Sequence, residues 1–305
     1  MKGLGDIKRR IGAVKSTQQI TRAMKMVAAA KLRKAQERME KIRPFDNEMM
    51  CLLTMTLEQT VGDEHRLLGQ ITNAGSVGLI LVTADRGLCG AFNSNVLKNA
   101  QKWIEEHEKL GKTVKLFCVG RKGYQFFKRR GYKILGNYSG IYDKLDFTNA
   151  HTVVQHAIAA FESDEIDTVD MVYADFVSII AQKIKSEKML PIKRENLIDA
   201  SDEATATKSQ TVAPSHGNAP DYEIEGGIIP LFEQLLAHYL TSHLYRAMLE
   251  SMAAEMGSRM TAMDAATKNA EDMIKRLTIQ YNRARQEAIT TELIEIVSGS
   301  AAMNG

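Results

Sequence analysis

A chain of 305 residues with 44% hydrophobic content and a net charge of +3 is long enough for two ordinary domains and has the composition of a soluble folded protein, which excludes general disorder. Five Pro, one Trp and 6% aromatic residues, set beside 16 Met, argue against an all-β architecture and for long helices. No stretch approaches the roughly 18 uninterrupted apolar residues of a membrane span, and charges run through the first 25 residues, so neither a spanning segment nor a signal peptide is expected.

The first element runs from Ile7 to about Glu58, interrupted only by Gly12 and Pro44, and is expected to be one helix with a possible kink near the proline. Ile7, Ile11, Val14, then Met24, Ala28, Leu32, Ala35, Met39 and Ile42 recur at spacings of three and four and define one narrow apolar stripe. The charge of this segment is lopsided: residues 1–43 hold thirteen Lys or Arg against three acids, whereas residues 228–305 hold seven against nine.

A different texture follows. Val77 to Thr83 is a short apolar run suited to a buried parallel strand, and Thr113 to Val119 is a second. Asn93 to Glu108 and His151 to Glu162 have the length of crossover helices, while Thr168 to Ala174 and Ser178 to Lys185 read as further strands. The expected centre is a small α/β domain over residues 75–198. Asp199 to Ala219, rich in Ser, Thr, Ala and Asp, is expected to be an exposed loop within a linker spanning 199–227.

The last element is the most regular. Leu249, Ala253, Met256, Met260, Met263, Thr267, Ala270, Ile274, Leu277, Tyr281, Ala284, Ala288 and Thr291 alternate at four and three without a break, the pattern of a coiled-coil seam. Counted back to Ile228, this helix would run some 70 residues, or roughly 105 Å at about 1.5 Å per residue. Both long helices must meet the same central domain, so an antiparallel pair is expected. The second helix, longer by about a dozen residues, would then project past Met1 from Ile289 to Met303. A bare tip carrying Ile289, Leu293, Ile294, Ile296 and Val297 implies a socket in a partner.

Motifs for chemistry are weak. Asp85-Arg86-Gly87-Leu88-Cys89-Gly90-Ala91-Phe92-Asn93 lies between a strand and a helix, where phosphate loops occur, but it lacks GxGxxG and the Gly-Lys-Ser/Thr ending. A structural turn at Gly87 and Gly90 is the stronger reading. Cys51, Cys89 and Cys118 have no CxxC or Cys/His spacing and point to reduced thiols in a cytosolic compartment. The seven histidines show no metal spacing, and no catalytic triad or carboxylate pair stands out. The basic first helix, with Lys8, Arg9, Arg10, Lys15, Arg22, Lys25, Lys31, Arg33 and Lys34, suits nucleic acid, a solvated face or an acidic protein ring; charge alone does not separate these.

Three blocks together resemble the gamma subunit of F-type ATP synthase, with likeness over nearly the whole chain. They are Ile7 to Gln36, around Thr17-Gln18-Gln19-Ile20-Thr21-Arg22-Ala23-Met24-Lys25-Met26; Thr83 to Asn93; and Tyr281-Asn282-Arg283-Ala284-Arg285-Gln286 through Gly299. The resemblance implies a Rossmann-like α/β centre over residues 75–198, flanked by helices over 1–59 and 228–305 that form an antiparallel coiled coil. It further implies a rotor shaft without catalytic residues, cofactor or metal of its own. This shaft would stand inside three alpha and three beta subunits, on an epsilon subunit and a proton-driven c-ring, at the cytoplasmic face of a bacterial plasma membrane. Nucleic acid is not expected as a partner. By resemblance, Arg285 and Gln286 fall where a catch loop of beta is touched, and Met24, Lys25 and Met26 where an acidic lever of beta is faced. The tip from Ile289 falls in a hydrophobic sleeve at the crown of the head, and Tyr222 near the foot. The plant-type insertion with a redox cysteine pair is absent.

Overall fold

In the computed structural model, which describes residues 3–59, 66–69, 74–179, 181–192 and 227–303, the two terminal segments are helical because almost nothing in them interrupts backbone hydrogen bonding. Helix α1, Leu4–Gln59, continues through Pro44. The last helix, α5, Ile228–Met303, carries its single proline, Pro230, in the first turn, where the missing N–H has no intrahelical acceptor to lose. Between them come β1 (Ser76–Val82), α2 (Phe92–Lys109), β2 (Thr113–Val119), α3 (Arg121–Lys128), β3 (Lys133–Tyr138), a 3-10 turn at Ile141–Lys144, α4 (Phe147–Glu162), β4 (Thr168–Phe176) and β5 (Gln182–Leu190).

The strands form one sheet in the order β3-β2-β1-β4-β5. Three pairings, β1 with β2, β1 with β4 and β2 with β3, are parallel and β5 runs antiparallel to β4, so the sheet is mixed. The expected strand at Ser178 to Lys185 is displaced to Gln182–Leu190. Its apolar start belongs instead to the hairpin turn, closed by Ser178 N donating to Ala181 O at 2.9 Å and Ala181 N donating to Ser178 Oγ at 3.0 Å. Val177 and Ile179 are exposed there. The sequence reading contained neither α3, only eight residues long, nor β3, whose face is interrupted by Gly136. Helix α4 begins four residues before the expected His151, because Asp146 and Asn149 form a reciprocal capping box.

The chain divides into two compact units, Met1–Ala30 with Arg259–Gly305 and Lys31–Ser258, each considered separately below. In the Lys31–Ser258 unit, Leu79, Ile80 and Leu81 of β1 and Leu116 and Phe117 of β2 are fully buried, as are Val96 and Ile104 of α2 and Val153 and Val154 of α4. Each large side chain so buried contributes about 1.5–3 kcal/mol. Leu240, Leu244, Met248 and Ala254 of α5 are also buried in this unit. Ser251 ties α5 to β4: its Oγ accepts from Ala174 N at 2.9 Å and donates to Ala174 O at 3.4 Å. Gly120, at the end of β2, has φ of 99°, and a Cβ built there would lie 2.0 Å from Thr83 O. Only glycine allows the ends of β1 and β2 to approach this closely.

Candidate functional site on the paired helices

In the unit formed by Met1–Ala30 and Arg259–Gly305, the helices are held together by a narrow seam and little else. On α1, Ile7, Ile11, Val14, Gln18, Thr21, Lys25 and Ala28 are all buried or half-buried, as are Leu4 and Met24, and the seven form an alternation of four and three that continues across the gap left between Val14 and Met24 in the apolar reading. On α5 the only residues from 271 to 290 that are not exposed are Ile274, Leu277, Tyr281, Ala284 and Ala288, all of them expected seam positions. Thr291, expected to extend the seam, is exposed.

Two direct contacts give the orientation. Thr21 Oγ1 and Thr267 Oγ1 lie 2.8 Å apart, and Lys25 Nζ donates to Asp264 Oδ1 at 2.5 Å. Moving up α1 thus moves down α5, so the pair is antiparallel. Carried toward the start of α1, the same register sets Ile7 level with Tyr281 and Gly3 level with Arg285. Helix α5 therefore continues past the first described residue of α1.

Asp264 also accepts from Lys268, with Oδ2 and Nζ 3.0 Å apart. The hydrogen bond from Lys25, then that from Lys268, holds its carboxyl below the ordinary range. Lys25 is consequently turned toward α5. Met24 is half-buried beside it, whereas Met26 faces solvent, together with Ile20 and Val27. Ile20 and Val27, seven residues apart, share one outward strip of α1, and Met26 lies about 100° around the helix from Val27; the sequence reading singled out only Met26 as a contact residue. Around them Lys8, Arg10, Lys15, Arg22, Lys31 and Lys34 are exposed and make no ion pair among the described residues, while Arg9 pairs with Asp6.

Arg285 and Gln286 are exposed on α5. Every side chain from Ile289 to Ser300 is exposed, with Ile289 at 49%, Leu293 at 57%, Ile294 at 61%, and Ile296 and Val297 at 67%. Tyr222, the expected foot contact, and the loop from Asp199 to Ala219 lie outside the described residues.

In the Lys31–Ser258 unit, the loop from Asp85 to Asn93 is internally fastened. Asp85 Oδ1 accepts from Arg121 N and Gly140 N, both at 2.9 Å, and Asn93 Oδ1 accepts from Ala84 N at 3.1 Å. Cys89 is buried; its sulfur accepts from Asn93 Nδ2 at 3.1 Å, and its carbonyl accepts from Ser258 Oγ at 2.7 Å. Gly90 takes the left-handed φ of 55° that a tight turn needs, whereas a Cβ on Gly87 would meet open space. Gly90 alone thus fits the steric argument made from the sequence. Among the described residues, no group of three or more His, Cys, Asp or Glu could hold a metal ion. His243, one of the unassigned histidines, has Nε2 3.1 Å from Glu187 Oε2, and this contact, ahead of the others, keeps the Glu187 carboxyl low.

The family model described as ATP synthase matches residues 3–303. The chain belongs to the ATP synthase gamma chain family. It is 42% identical over 308 residues to the ATP synthase gamma chain of Prosthecochloris aestuarii, covering the whole of both chains. It is 41% identical to that of Heliobacterium modesticaldum, covering 99% of this chain and all of the relative. Among solved structures, a chain of the Euglena gracilis mitochondrial ATP synthase covers 98% of this chain and 94% of its own, with 19% identity and a TM-score of 0.65. A chain of the Tetrahymena thermophila mitochondrial ATP synthase central stalk and c-ring covers 81% of this chain and 99% of its own, with 23% identity and a TM-score of 0.55. At those identities the likeness is one of fold: the mixed sheet flanked by long terminal helices is that of gamma chains. Among the described residues of this gamma family member, no helix is long and apolar enough to cross a membrane.

Proposed function

We propose that this chain is the central shaft of a rotary ATP synthase and transmits torque by contact, with no catalytic residue of its own. Proton flow would turn a c-ring, the α/β region over residues 75–198 would turn with the ring and an epsilon subunit, and the paired helices would press on three alpha and three beta subunits in succession. A two-helix rod has no threefold symmetry, so it must meet three equivalent neighbours differently, which gives each beta subunit a different nucleotide affinity at any instant. Such an assembly would be peripheral, at the cytoplasmic face of a bacterial plasma membrane.

The observation that carries this reading is the exposed apolar surface of the last turns of α5. From Ile289 to Ser300, α5 presents an all-exposed surface bearing Ile289, Leu293, Ile294, Ile296 and Val297. An apolar surface on a single helix suits a sleeve in a surrounding ring. Arg285 and Gln286, exposed at the level where α1 begins, are the residues offered to a loop of beta. Met26, with Met24 half-buried behind it, is offered to the acidic lever of beta. Lys25 shares that level but reaches Asp264, so Arg22 and Lys31, which make no ion pair among the described residues, are better placed to supply long-range attraction to an acidic neighbour.

The test is the mass of the native assembly purified through a tag on this chain. One copy of the chain per three alpha–beta pairs is expected; recovery without alpha and beta partners would refute the proposal. Retention on DNA or RNA columns that persists at raised salt would instead favour a nucleic-acid role for the basic helix.

A further inference from the structure

The seam of the Met1–Ala30 and Arg259–Gly305 unit is a poor specifier of its own alignment. Its members include Ala28, Met260, Met263, Ala270, Ala284 and Ala288. Alanine offers little knob for a hole, and methionine repacks readily, so sliding one helix by a heptad would cost such a seam little packing. Two polar layers interrupt it, one turn apart. In the first, Thr21 and Thr267 face each other at 2.8 Å; Thr267 Oγ1 also lies 2.7 Å from Met263 O, and Thr21 Oγ1 lies 3.0 Å from Gln18 O. Each hydroxyl thus has a backbone carbonyl within reach while sharing a single hydrogen bond with its partner. In the second, Lys25 reaches Asp264, whose other oxygen is taken by Lys268.

We infer that these two layers form a register lock, in which Lys25 and Asp264 are positioning residues that fix how far the C-terminal end of α5 projects beyond α1. The argument is one of differences between alignments. A slip of seven residues on α5 would bring Lys25 opposite Glu271 or Gly257, and would set Thr21 opposite Ile274 or Met260. In the second case each layer loses its partner, leaving a lysine and a hydroxyl against apolar neighbours. In the first the lysine regains a carboxylate but the threonine hydroxyl does not find another. Only the observed register satisfies both layers at once. Polar groups at otherwise apolar seam positions set register in this way, at some expense of stability. The inference concerns the chain itself and does not depend on the rotary reading, although in a rotary assembly the projection it sets would determine where Ile289 to Val297 meet their socket.

The experiment uses the full chain with the exposed Cys51 replaced by Ser and spin labels on Arg10→Cys and Thr278→Cys, positions that the observed register makes level. Pulsed dipolar spectroscopy reads the distance between them. A single short distance is expected. Either charge reversal alone, Lys25→Asp or Asp264→Lys, should add a longer population displaced along the axis by about 10 Å, one heptad at about 1.5 Å per residue. The double reversal Lys25→Asp/Asp264→Lys should restore the single short distance. An unchanged distribution in both single reversals, or no restoration in the double, would overturn the proposal. Should a reversal abolish helicity by circular dichroism, the Thr21→Val/Thr267→Val variant carries the test: it removes the hydroxyl layer without a charge. A broadened distribution supports the lock, and one narrow distance identical to the parent's contradicts it.

Discussion

The two units use apolar residues in opposite ways. In the sheet unit, Leu79, Leu81, Leu116, Phe117 and Val119 are wholly enclosed, and its exposed loops are pinned by hydrogen bonds such as those of Asp85. In the paired-helix unit, Ile20, Met26, Val27, Leu293 and Ile296 lie open to solvent while the seam mixes isoleucine, methionine and alanine with polar residues. Dense burial gives the first unit a single well-defined shape. The second encloses Ile7, Ile11, Ile274 and Leu277 only in a narrow seam and leaves other large apolar groups outside, the surface we propose for a neighbour, with two polar layers in the seam.

Substitutions should break that contrast in a predictable order. Phe117→Ala, in the fully buried sheet core, should destabilise the chain by about 3–5 kcal/mol, read from thermal or denaturant unfolding. Gly120→Ala should follow at about 1–3 kcal/mol, since a side chain is strained at φ of 99° and its Cβ meets Thr83 O. In the same assay Ile296→Ser should be nearly neutral, within about 0.5 kcal/mol, because its side chain is exposed in the isolated chain. A large loss at Ile296 would mean that the tip is part of the chain's own core.

Acidity distinguishes the units more finely. Asp264 has a depressed folded value, so its contribution is fully present above the unfolded carboxyl value of about 3.9 and is lost as the pH falls through the lower folded value. Asp264→Asn should remove this part of the acid dependence of helix content between about pH 5 and pH 2, leaving the remainder in place. A parent and variant with superimposable acid titrations would show that the Lys25 contact contributes nothing to folding.

Much of this was legible in the chain. The α5 seam was readable residue by residue from Ile274 to Ala288, where the alternation of four and three matches the half-buried positions, whereas residues 251–257 are buried on every side and single out no seam. On α1 the stripe vanished between Val14 and Met24, where Gln18 and Thr21 hold seam positions with polar side chains that an apolar count passes over. Thr267 falls within the legible α5 pattern, yet its partner Thr21 falls outside the apolar stripe of α1, since pairing across 246 residues of sequence leaves no local trace. The outward positions Ile20 and Val27 were hidden for the converse reason: an exposed isoleucine in a helix looks like core until its face is known. Short elements failed differently. The sequence Val177 to Ile179 has strand composition, but a serine hydroxyl closes it into a turn.

The central claim is that this chain acts by turning against a ring of partners. It is tested most directly by anchoring an assembled head through its beta subunits, attaching a bead to this chain at the sheet unit, and supplying ATP. The account predicts unidirectional rotation in steps of a third of a turn, disrupted by Arg285→Ala/Gln286→Ala while the isolated variant keeps the parent's helicity. Sustained ATP turnover by the anchored head with a bead, shown to be bound through this chain, that does not rotate would contradict it.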